Sequence, residues 1–460
     1  MNEILTVLAT FLCIFLVVRC ILKQYNPMFV FFATGIIVFT IITAVSQKSI
    51  LAEPVTGNIF MDVFQFVSDT FKSNVGGIGA TLMTVTGYAM YMSHIKASNL
   101  LAQMATKPLA KLNKPYIVLA FVFVVGIFLK MTIPSHSGLS LLLMATAFPI
   151  VVNLGVSKKS GAAIMIACGA LDWGPNDGSA VFAAEEIVGI PMMEYFMNYQ
   201  LIMAVILIVT LAITLAVYSK YMDKKEGLYR EVKASDMSAV NNDIDLSNVP
   251  KIYSILPLIP LALVTVFSFT DAIKLDVIPA NMIGFAIAFI AEIIVRRDLK
   301  VVSESIMVPL EAMGNCLAKI VSIVVAAGVF AEAIKALGGV QIVANALASI
   351  QGMTLFTIFA MSLITFGAVI LLGSGNASWY AFAPLVPDIA AKMGLNIASI
   401  AVPMHFATAI GRSLSPVAGV VIAVAGMAEI EMTDLIKRNV VPMVIAFIVN
   451  VLASYILFVL

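Results

Sequence analysis

The stretch LLGSGNASWYAF, residues 371–382, decides the fold, because it places a short polar sequence with two glycines inside a strongly apolar run. A similar interruption, IPSHSGLSLL, spans residues 133–142, about 239 residues earlier. Three further pairs recur in the same order at nearly the same offset: Lys96 and Lys335, Gly155 and Gly394, and the segments PNDG (175–178) and PVAG (416–419). The chain is therefore predicted to consist of two related halves.

The bulk composition is that of a membrane protein. Of 460 residues, 61% are apolar and only 12% are charged, and the mean hydropathy is +1.04. These values lie far outside the range of soluble domains, so we predict an all-α polytopic membrane protein. The formal net charge is +1 and no basic cluster is present, so no nucleic-acid partner is expected. The four cysteines lack CxxC or Cys/His spacing, so neither a disulfide framework nor a cysteine metal site is predicted.

Apolar stretches of roughly 20 residues, the length that crosses a bilayer, define the predicted architecture. Each half is expected to contain about five crossings, one re-entrant hairpin and one broken helix. An odd number of crossings would invert the second half relative to the first, as in secondary transporters built from inverted repeats. The predicted units are a first membrane repeat at 1–219 with its hairpin at 115–152 and broken helix at 159–190, a cytoplasmic linker at 220–252, and a second repeat at 253–460 with its hairpin at 353–391 and broken helix at 396–428.

The distribution of basic residues agrees with this topology, because Lys and Arg concentrate in cytoplasmic loops. Loops assigned to the outside hold only Lys48, Lys72, Lys274, Lys335 and Lys392. Both termini are then predicted to lie outside the cytoplasm, in a multi-pass protein of a bacterial inner membrane. The two hairpins enter from opposite sides, so their polar tips are expected to approach each other near the midplane of the lipid bilayer.

Three basic residues, Lys130, Lys319 and Arg412, are left at membrane depth. A charge there costs about 3 kcal/mol on insertion scales, so such residues usually line a cavity or form ion pairs. Arg412 lies where glycine and proline interrupt the crossing 396–428, and its guanidinium together with the amide donors of a broken helix suits an anionic substrate. An ion pair with an acidic residue of the first half is the alternative. Lys130 precedes the first tip by one turn and is expected to attract an anion or to neutralise an acid.

The matching break in the first half, CGALDWGPNDGSAVF (168–182), supplies carboxylate, amide and hydroxyl groups. Hard oxygen ligands suit Na⁺, whereas an isolated buried carboxylate could carry a proton. Asp172, Asp177 and Asn376 are therefore candidate ligands of a coupling ion, and the choice between Na⁺ and H⁺ stays open. No other metal and no cofactor is predicted. Helix capping, or pairing with Arg412, is the alternative role for Asp172.

The hairpin tips carry short polar side chains next to glycine, which permits tight turns and close approach of a ligand. Capping of the hairpin helices is the alternative role of the tip serines, and neutral hydrogen bonding is the alternative to a proton-linked role for His136 and His405. The candidate substrate-binding residues at the tips and breaks are Ser135, His136, Ser137, Gly138, Asn176, Gly178, Ser179, Ser374, Gly375, Asn376, Arg412, Ser413 and Ser415.

Three segments, 137–157, 372–382 and 411–428, resemble the anaerobic C4-dicarboxylate carriers of the DcuC type, and the likeness runs over nearly the whole chain. The resemblance implies a secondary active transporter of the ion transporter superfamily, with inverted repeats, paired hairpins, an elevator-like movement and frequent homodimers. It also implies succinate, fumarate and malate as substrates, moved by cation-coupled uptake, efflux or exchange.

The sequence argues against some other functions and leaves others open. The chain has no GxxxxGKS, HExxH or GxSxG motif, which argues against a nucleotide-driven pump and against an enzyme. His136, Asp172 and Asp177 depart from the carrier pattern around the presumed site. A carrier of another organic anion or of an amino acid therefore stays open, as does a cation/proton antiporter.

Overall fold

The computed structural model of the chain describes residues 3–23, 25–51, 55–111, 114–229, 246–268, 275–339, 342 and 353–460. Within these ranges the regular secondary structure is entirely helical, with no strand. The helices of the first half are α1 (Glu3–Leu22), α2 (Pro27–Ser46), α3 (Met61–Asn74), α4 (Ala80–His94), α5 (Ala97–Thr106), α6 (Pro115–Lys130), α7 (His136–Thr146), α8 (Phe148–Asn153), α9 (Lys158–Ala167), α10 (Gly178–Phe182), α11 (Met192–Tyr195) and α12 (Leu201–Lys225).

The second half follows a short 3₁₀ segment, Lys251–Leu258. Its helices are α13 (Ile259–Ser268), α14 (Val277–Arg296), α15 (Leu299–Glu304), α16 (Met307–Cys316), α17 (Ser322–Leu337), α18 (Met353–Leu372), α19 (Gly375–Phe382), α20 (Val386–Met393), α21 (Ile397–Arg412), α22 (Gly419–Ala428) and α23 (Met432–Phe458). π-helical turns join α3 to α4, α11 to α12 and α16 to α17, and a further one extends α10 through Val188.

Six helical segments in the described part of the chain are long and apolar enough to cross a bilayer, by length and composition: Pro27–Ser46, Met192–Lys225, Val277–Arg296, Leu299–Leu337, Met353–Leu372 and Met432–Phe458. Large apolar side chains such as Ile213 and Ile294 are exposed on these helices, as contact with lipid requires. The chain is therefore a multi-pass membrane protein, as its composition predicts.

The predicted hairpin at 115–152 consists of α6 and α7, joined by a short turn, with α8 after them. Pro115 begins α6, where a missing amide hydrogen is harmless, and Ser135 caps α7 by accepting a hydrogen bond from the amide of Gly138 at 3.1 Å. Ser374 caps α19 in the same way, accepting from the amide of Ala377 at 3.2 Å. Both polar signatures thus begin the second helix of a helix pair.

Gly373 is required where the second pair turns. Its φ is +70°, a left-handed conformation that glycine adopts without strain. A Cβ at this position would lie 2.8 Å from the carbonyl oxygen of Val417, in the break of the next crossing. The tip of the second pair therefore packs directly against the interruption between α21 and α22.

At both places predicted as broken helices, the structure has two short helices with a non-helical connection. In the first half α9 ends at Ala167 and α10 begins at Gly178, and in the second half residues 413–418 separate α21 from α22. The order of helix pair, broken crossing and long helix is the same in both halves. The inverted orientation of the second half stays a prediction.

The first residues of the predicted linker are helical, because α12 continues to Lys225 rather than ending at 219. Asp223 holds this last turn: it is fully buried and accepts hydrogen bonds from Tyr116 and Ser160, and it lies 3.3 Å from the guanidinium of Arg438 on α23. Buried acceptors of this kind require several donors, and the surrounding helices supply them. Residues 230–245 of the linker lie outside the described ranges.

The helices form two groups, each built from both halves. The hairpin bundle, which we define as α6, α7, α9, α10, α12, α18, α19, α21, α22 and α23, has α12 packed against α6 and α23, and α21 packed between α18 and α23. The partner bundle, defined as α2, α4, α14, α16 and α17, pairs α2 with α17 and packs α4 against α14 and α16. The hairpin tips of the first bundle face α4 and the π-helical turn at Leu317–Val321 of the segment α16–α17.

Candidate functional site

A cavity of about 410 Å³ lies where the two hairpin tips and the two helix breaks meet. Its wall opposite the tips comes from α4, including Leu82 and Thr86. Its polar lining residues are Ser135, His136 and Ser137 from the first tip, Asp172, Asp177 and Ser179 from the first break, Ser374 and Asn376 from the second tip, Tyr380 from α19, Thr86 from α4, and Arg412. Segments far apart in sequence are thus brought to one place.

The site residues predicted from the sequence fall into two sets, those that line the cavity and those that do not. Those that line the cavity are Ser135, His136, Ser137, Asp172, Asp177, Gly178, Ser179, Ser374, Gly375, Asn376 and Arg412. The remaining four, Gly138, Asn176, Ser413 and Ser415, lie within three residues of a lining residue in sequence. Of these, Asn176, Ser413 and Ser415 are buried, and the amide of Gly138 is occupied by the Ser135 cap.

A continuous chain of charges crosses the cavity from the second half to the first. Nη2 of Arg412 lies 2.8 Å from each carboxylate oxygen of Asp172. Nζ of Lys130 lies 3.0 Å from Oδ1 of Asp172 and 2.8 Å from Oδ2 of Asp177. The side chains of Lys130, Asp172 and Asp177 are 0%, 5% and 6% exposed, and that of Arg412 is 13% exposed.

The local structure explains why these four side chains converge. Lys130 and Arg412 are each the last residue of a helix, α6 and α21, and Asp172 lies in the non-helical connection after α9. Asp177 is the N-cap of α10 and accepts hydrogen bonds from the amides of Ser179 and Ala180 at 3.0 and 3.3 Å. Buried charges are tolerated here because each cation faces an anion, while loss of one partner of a buried pair costs about 3–5 kcal/mol.

The charge chain balances the charges at the cavity, since two cations face two carboxylates. An ion pair with an acidic residue was one of the roles expected from the sequence for both Arg412 and Lys130, and the structure shows both ion pairs. The ion pair does not satisfy every donor of Arg412, because its buried Nε has no hydrogen-bond partner among the described residues. Nδ2 of Asn176 and Oγ of Ser413 also lack a hydrogen-bond partner there. Buried donors of this kind are usually satisfied by a ligand or by water.

The two histidines near the centre have different surroundings. His136 bonds through Nε2 to the carbonyl oxygen of Ile166 at 2.8 Å, so that nitrogen carries the proton. Nε2 of His405 lies 2.9 Å from Oγ of Ser179, and Oγ of Ser179 in turn lies 2.6 Å from Oδ1 of Asp177. His405 is therefore connected to the charge chain through one hydroxyl group, whereas His136 fits the role of a packed hydrogen bonder.

Helix N-termini add positive potential to the cavity. The first residues of α7, α19 and α22 are among those that line it. Unpaired amide groups at a helix N-terminus, together with the helix dipole, favour an anion. At α22, no side chain in the described ranges caps the terminus. The lining thus presents a guanidinium, hydroxyl groups and backbone donors, a set that fits carboxylate oxygens.

The wall formed by α4 is not among the features predicted from the sequence. Thr86 and Met90 line the cavity from a crossing that shows no polar signature. Gly178 lies so close to α4 that a Cβ there would be 2.3 Å from Cδ2 of Leu82, and no feature of the sequence indicates this contact. Among the described residues, no group of three His, Cys, Asp or Glu side chains could hold a metal ion.

Comparison with known proteins agrees with this architecture. The chain is 31% identical to the anaerobic C4-dicarboxylate transporter DcuC of Escherichia coli strain K12, over 95% of this chain and 94% of that protein. The DcuC transporter of Shigella flexneri matches with the same values. Two solved structures share the fold. The YdaH transporter of Alcanivorax borkumensis aligns with a TM-score of 0.61 and 13% identity, over 94% of this chain and 98% of that one. MtrF of Neisseria gonorrhoeae, described within a class of antimetabolite efflux pumps, aligns with a TM-score of 0.62 and 14% identity, over 95% of this chain and 96% of that one.

The family comparison covers almost every residue. The family model described as C4-dicarboxylate anaerobic carrier, DcuC, matches residues 1–459. The chain therefore belongs to the DcuC family, a family of membrane transporters and not of enzymes.

Proposed function

We propose that the protein is a secondary active transporter that moves small C4-dicarboxylates, such as succinate, fumarate and malate, across the bacterial inner membrane. The observation that carries the proposal is the position of Arg412, which reaches the cavity between both hairpin tips with its Nε unpartnered among the described residues. The names of the E. coli and Shigella relatives support the same substrate class.

Two carboxylate groups find different partners in this cavity. One carboxylate replaces Asp172 on the guanidinium of Arg412, because charge-assisted and two-pronged contacts are the strongest available to it. The second is held by the hydroxyl and amide groups of the tips, namely Ser135, Ser137, Ser374 and Asn376. Asp172 keeps a cationic partner after this exchange, since Lys130 lies 3.0 Å away. Substrate binding then leaves none of the three charged side chains isolated.

Movement follows from the division into two bundles. We propose that the hairpin bundle carries both tips, both breaks and the bound substrate as one unit past the partner bundle, in an elevator-like movement. A ligand shifts such an equilibrium only by binding one conformation more tightly than another. The proposal includes coupling to Na⁺ or H⁺, with Asp172, Asp177 and Asn376 as candidate ligands. It also includes assembly as a homodimer and both termini outside the cytoplasm.

A carrier of zwitterionic amino acids or another organic anion is the second candidate. The carboxylates of Asp172 and Asp177 line the cavity and could accept hydrogen bonds from an ammonium group. A cation/proton antiporter without an organic substrate is a third reading, favoured by the same acidic residues.

The decisive experiment is counterflow of labelled succinate into liposomes that contain the purified protein. The lumen is loaded in turn with unlabelled C4-dicarboxylates, other organic anions and amino acids. Trans-stimulation by fumarate or malate supports the proposal. Stimulation only by an amino acid or a different anion overturns the substrate class, and cation-dependent proton flux without any carboxylate would indicate the antiporter.

A further inference from the structure

The surroundings of the Lys130 ammonium group are those of a bound cation, not those of a group that receives an anion. Its side chain is 0% exposed. Its ammonium group lies 2.7 Å from the carbonyl oxygen of Pro134, 2.8 Å from Oδ2 of Asp177 and 3.0 Å from Oδ1 of Asp172. An ammonium group has three hydrogens to donate, and three oxygens surround this one. It therefore has no donor left for a substrate.

The three oxygens come from the parts of the fold that a coupling ion would have to hold together. Pro134 belongs to the turn at the tip of the first hairpin, while Asp172 and Asp177 lie in the break of the following crossing. Two carboxylates and a backbone carbonyl are the hard oxygen ligands that Na⁺ takes. With Lys130 present, its ammonium group lies among these oxygens and supplies the positive charge.

The charge balance depends on this lysine. Asp172 is shared with Arg412, but among the described charged side chains Asp177 has Lys130 as its only cation within 4.0 Å. Removal of the lysine charge would leave two buried carboxylates with a single guanidinium. Burial of an uncompensated charge is costly, so a mobile cation of suitable size would be drawn into the space that the side chain vacates.

We infer that Lys130 is a tethered cation that takes the place of a coupling sodium ion between the first hairpin tip and the first helix break. The inference rests on the proposed function, because it specifies the coupling of that carrier. Of the two coupling ions left open in the proposed function, this excludes Na⁺ from Asp172 and Asp177 in the natural chain, because Lys130 already holds these oxygens. Truncation of Lys130 converts the same oxygens into a Na⁺ site.

The test compares two neutral variants of the full-length protein. Lys130→Ala removes the charge and opens space, whereas Lys130→Met removes the charge but keeps the space filled. Each is purified in detergent, and its melting temperature is measured in NaCl, LiCl and choline chloride at equal ionic strength. Lys319→Ala, which removes a lysine exposed on the segment α16–α17, is the matched control.

We expect a saturable rise in melting temperature with Na⁺ or Li⁺ for Lys130→Ala alone, and no difference between the salts for the natural chain, Lys130→Met and the control. If Lys130→Ala does not fold, Lys130→Ser, which adds a hydroxyl ligand, is measured in the same salts. Equal stabilisation of the natural chain by Na⁺, or no Na⁺ stabilisation of either small variant, overturns the inference.

Transport supplies an independent readout. We expect exchange by the natural chain to be the same in Na⁺ and choline media, exchange by Lys130→Ala to fall at least about tenfold in choline, and Na⁺ to restore a large part of it. A natural chain that exchanges no C4-dicarboxylate would contradict the proposed function, while the melting experiment would still decide the role of Lys130.

Discussion

Arg412 and Asp172 belong to opposite halves of the chain and form a two-oxygen ion pair, with Nη2 of the arginine 2.8 Å from both carboxylate oxygens. The pair joins the end of α21 to the break between α9 and α10 inside the cavity. In the proposed function, a substrate carboxylate competes with Asp172 for the guanidinium. Under that proposal the pair is a switch between the substrate-free and the substrate-bound cavity, and three of the five predictions below concern the pair or the packing around it.

Arg412→Ala should abolish exchange of organic anions, with a loss of at least about a hundredfold, because a charged hydrogen-bonded partner of the substrate is worth about 2–5 kcal/mol. The variant should still insert and fold, at reduced stability, because Asp172 keeps Lys130 as a partner while two buried carboxylates then share one cation. Counterflow in liposomes measures the first effect, and size-exclusion chromatography of the purified variant measures the second. Exchange at normal affinity would show that Arg412 has only a structural role.

Asp172→Asn should tighten substrate binding while lowering stability. The change removes the competitor of the substrate, so the dissociation constant should fall about tenfold, in keeping with one charge-assisted hydrogen bond. Titration calorimetry with succinate checks this, with the exposed Asp69→Asn as the control. Weaker binding than that of the natural chain would mean that Asp172 itself contacts the substrate.

Gly373→Ala should impair both folding and transport. The position has a φ of +70°, and its Cβ would lie 2.8 Å from the carbonyl oxygen of Val417. Alanine in such a conformation is destabilising by roughly 1 kcal/mol or more. Gly367→Ala, on the same helix pair, is the matched control, because a Cβ there meets nothing within 4 Å. Thermal unfolding of the two variants in parallel measures the difference, and equal melting temperatures would refute the packing argument.

Asp223→Ala should destabilise the hairpin bundle without entering the cavity. Asp223 is fully buried and joins α6, α9 and α23 to the end of α12. Removing one partner of a buried ion pair costs about 3–5 kcal/mol. Lys72→Ala, which breaks an exposed pair with Asp69, should change stability by less than about 1 kcal/mol. Similar thermal shifts for both variants would show that the buried network contributes no more than a surface pair.

Glu226 should make stability depend on pH on the acidic side. Hydrogen bonding to the guanidinium of Arg438, more than any other contact, holds the pKa of this carboxyl below its ordinary value of 4.5. A folded-state pKa below the unfolded one means stability that is present above the unfolded pKa and is lost as the pH falls through the folded value. The melting temperatures of the natural chain and Glu226→Gln should therefore differ at neutral pH and converge in acid. A difference that is constant with pH would exclude the carboxylate as its cause.

Much of the fold could be predicted from residues that interrupt apolar runs. The serines and glycines at 134–138 and 373–377 mark the turns of the two helix pairs, because a polar cap and a flexible residue are needed wherever a helix restarts in an apolar environment. The breaks near Asn176 and Pro416 follow from the same chemistry. The end of α12 could not be predicted this way, since Asp223 is stabilised by donors from three other helices.

The residue types of the candidate site, and pairing of Arg412 with Asp172 as one alternative, could be predicted, but the sharing of Asp172 with Lys130 could not. Arg412, Asp172 and Asp177 are conspicuous because charges are rare in apolar segments, and their convergence could be anticipated from the repeat. No local pattern in the sequence shows that Lys130 contacts both carboxylates or that α4 closes the cavity opposite the tips.

The sequence by itself determined a helical membrane protein and the positions of the tips and breaks, because these depend on hydropathy, capping and glycine at known places along the chain. Its resemblance to the DcuC carriers indicated the family. Only the tertiary structure decided that Arg412 and Lys130 share Asp172, that Asp177 belongs to Lys130, and that the cavity is balanced in charge. These contacts depend on distances of about 3 Å between side chains on separate helices, which are set by how the helices pack and by the cost of leaving any buried charge unpaired.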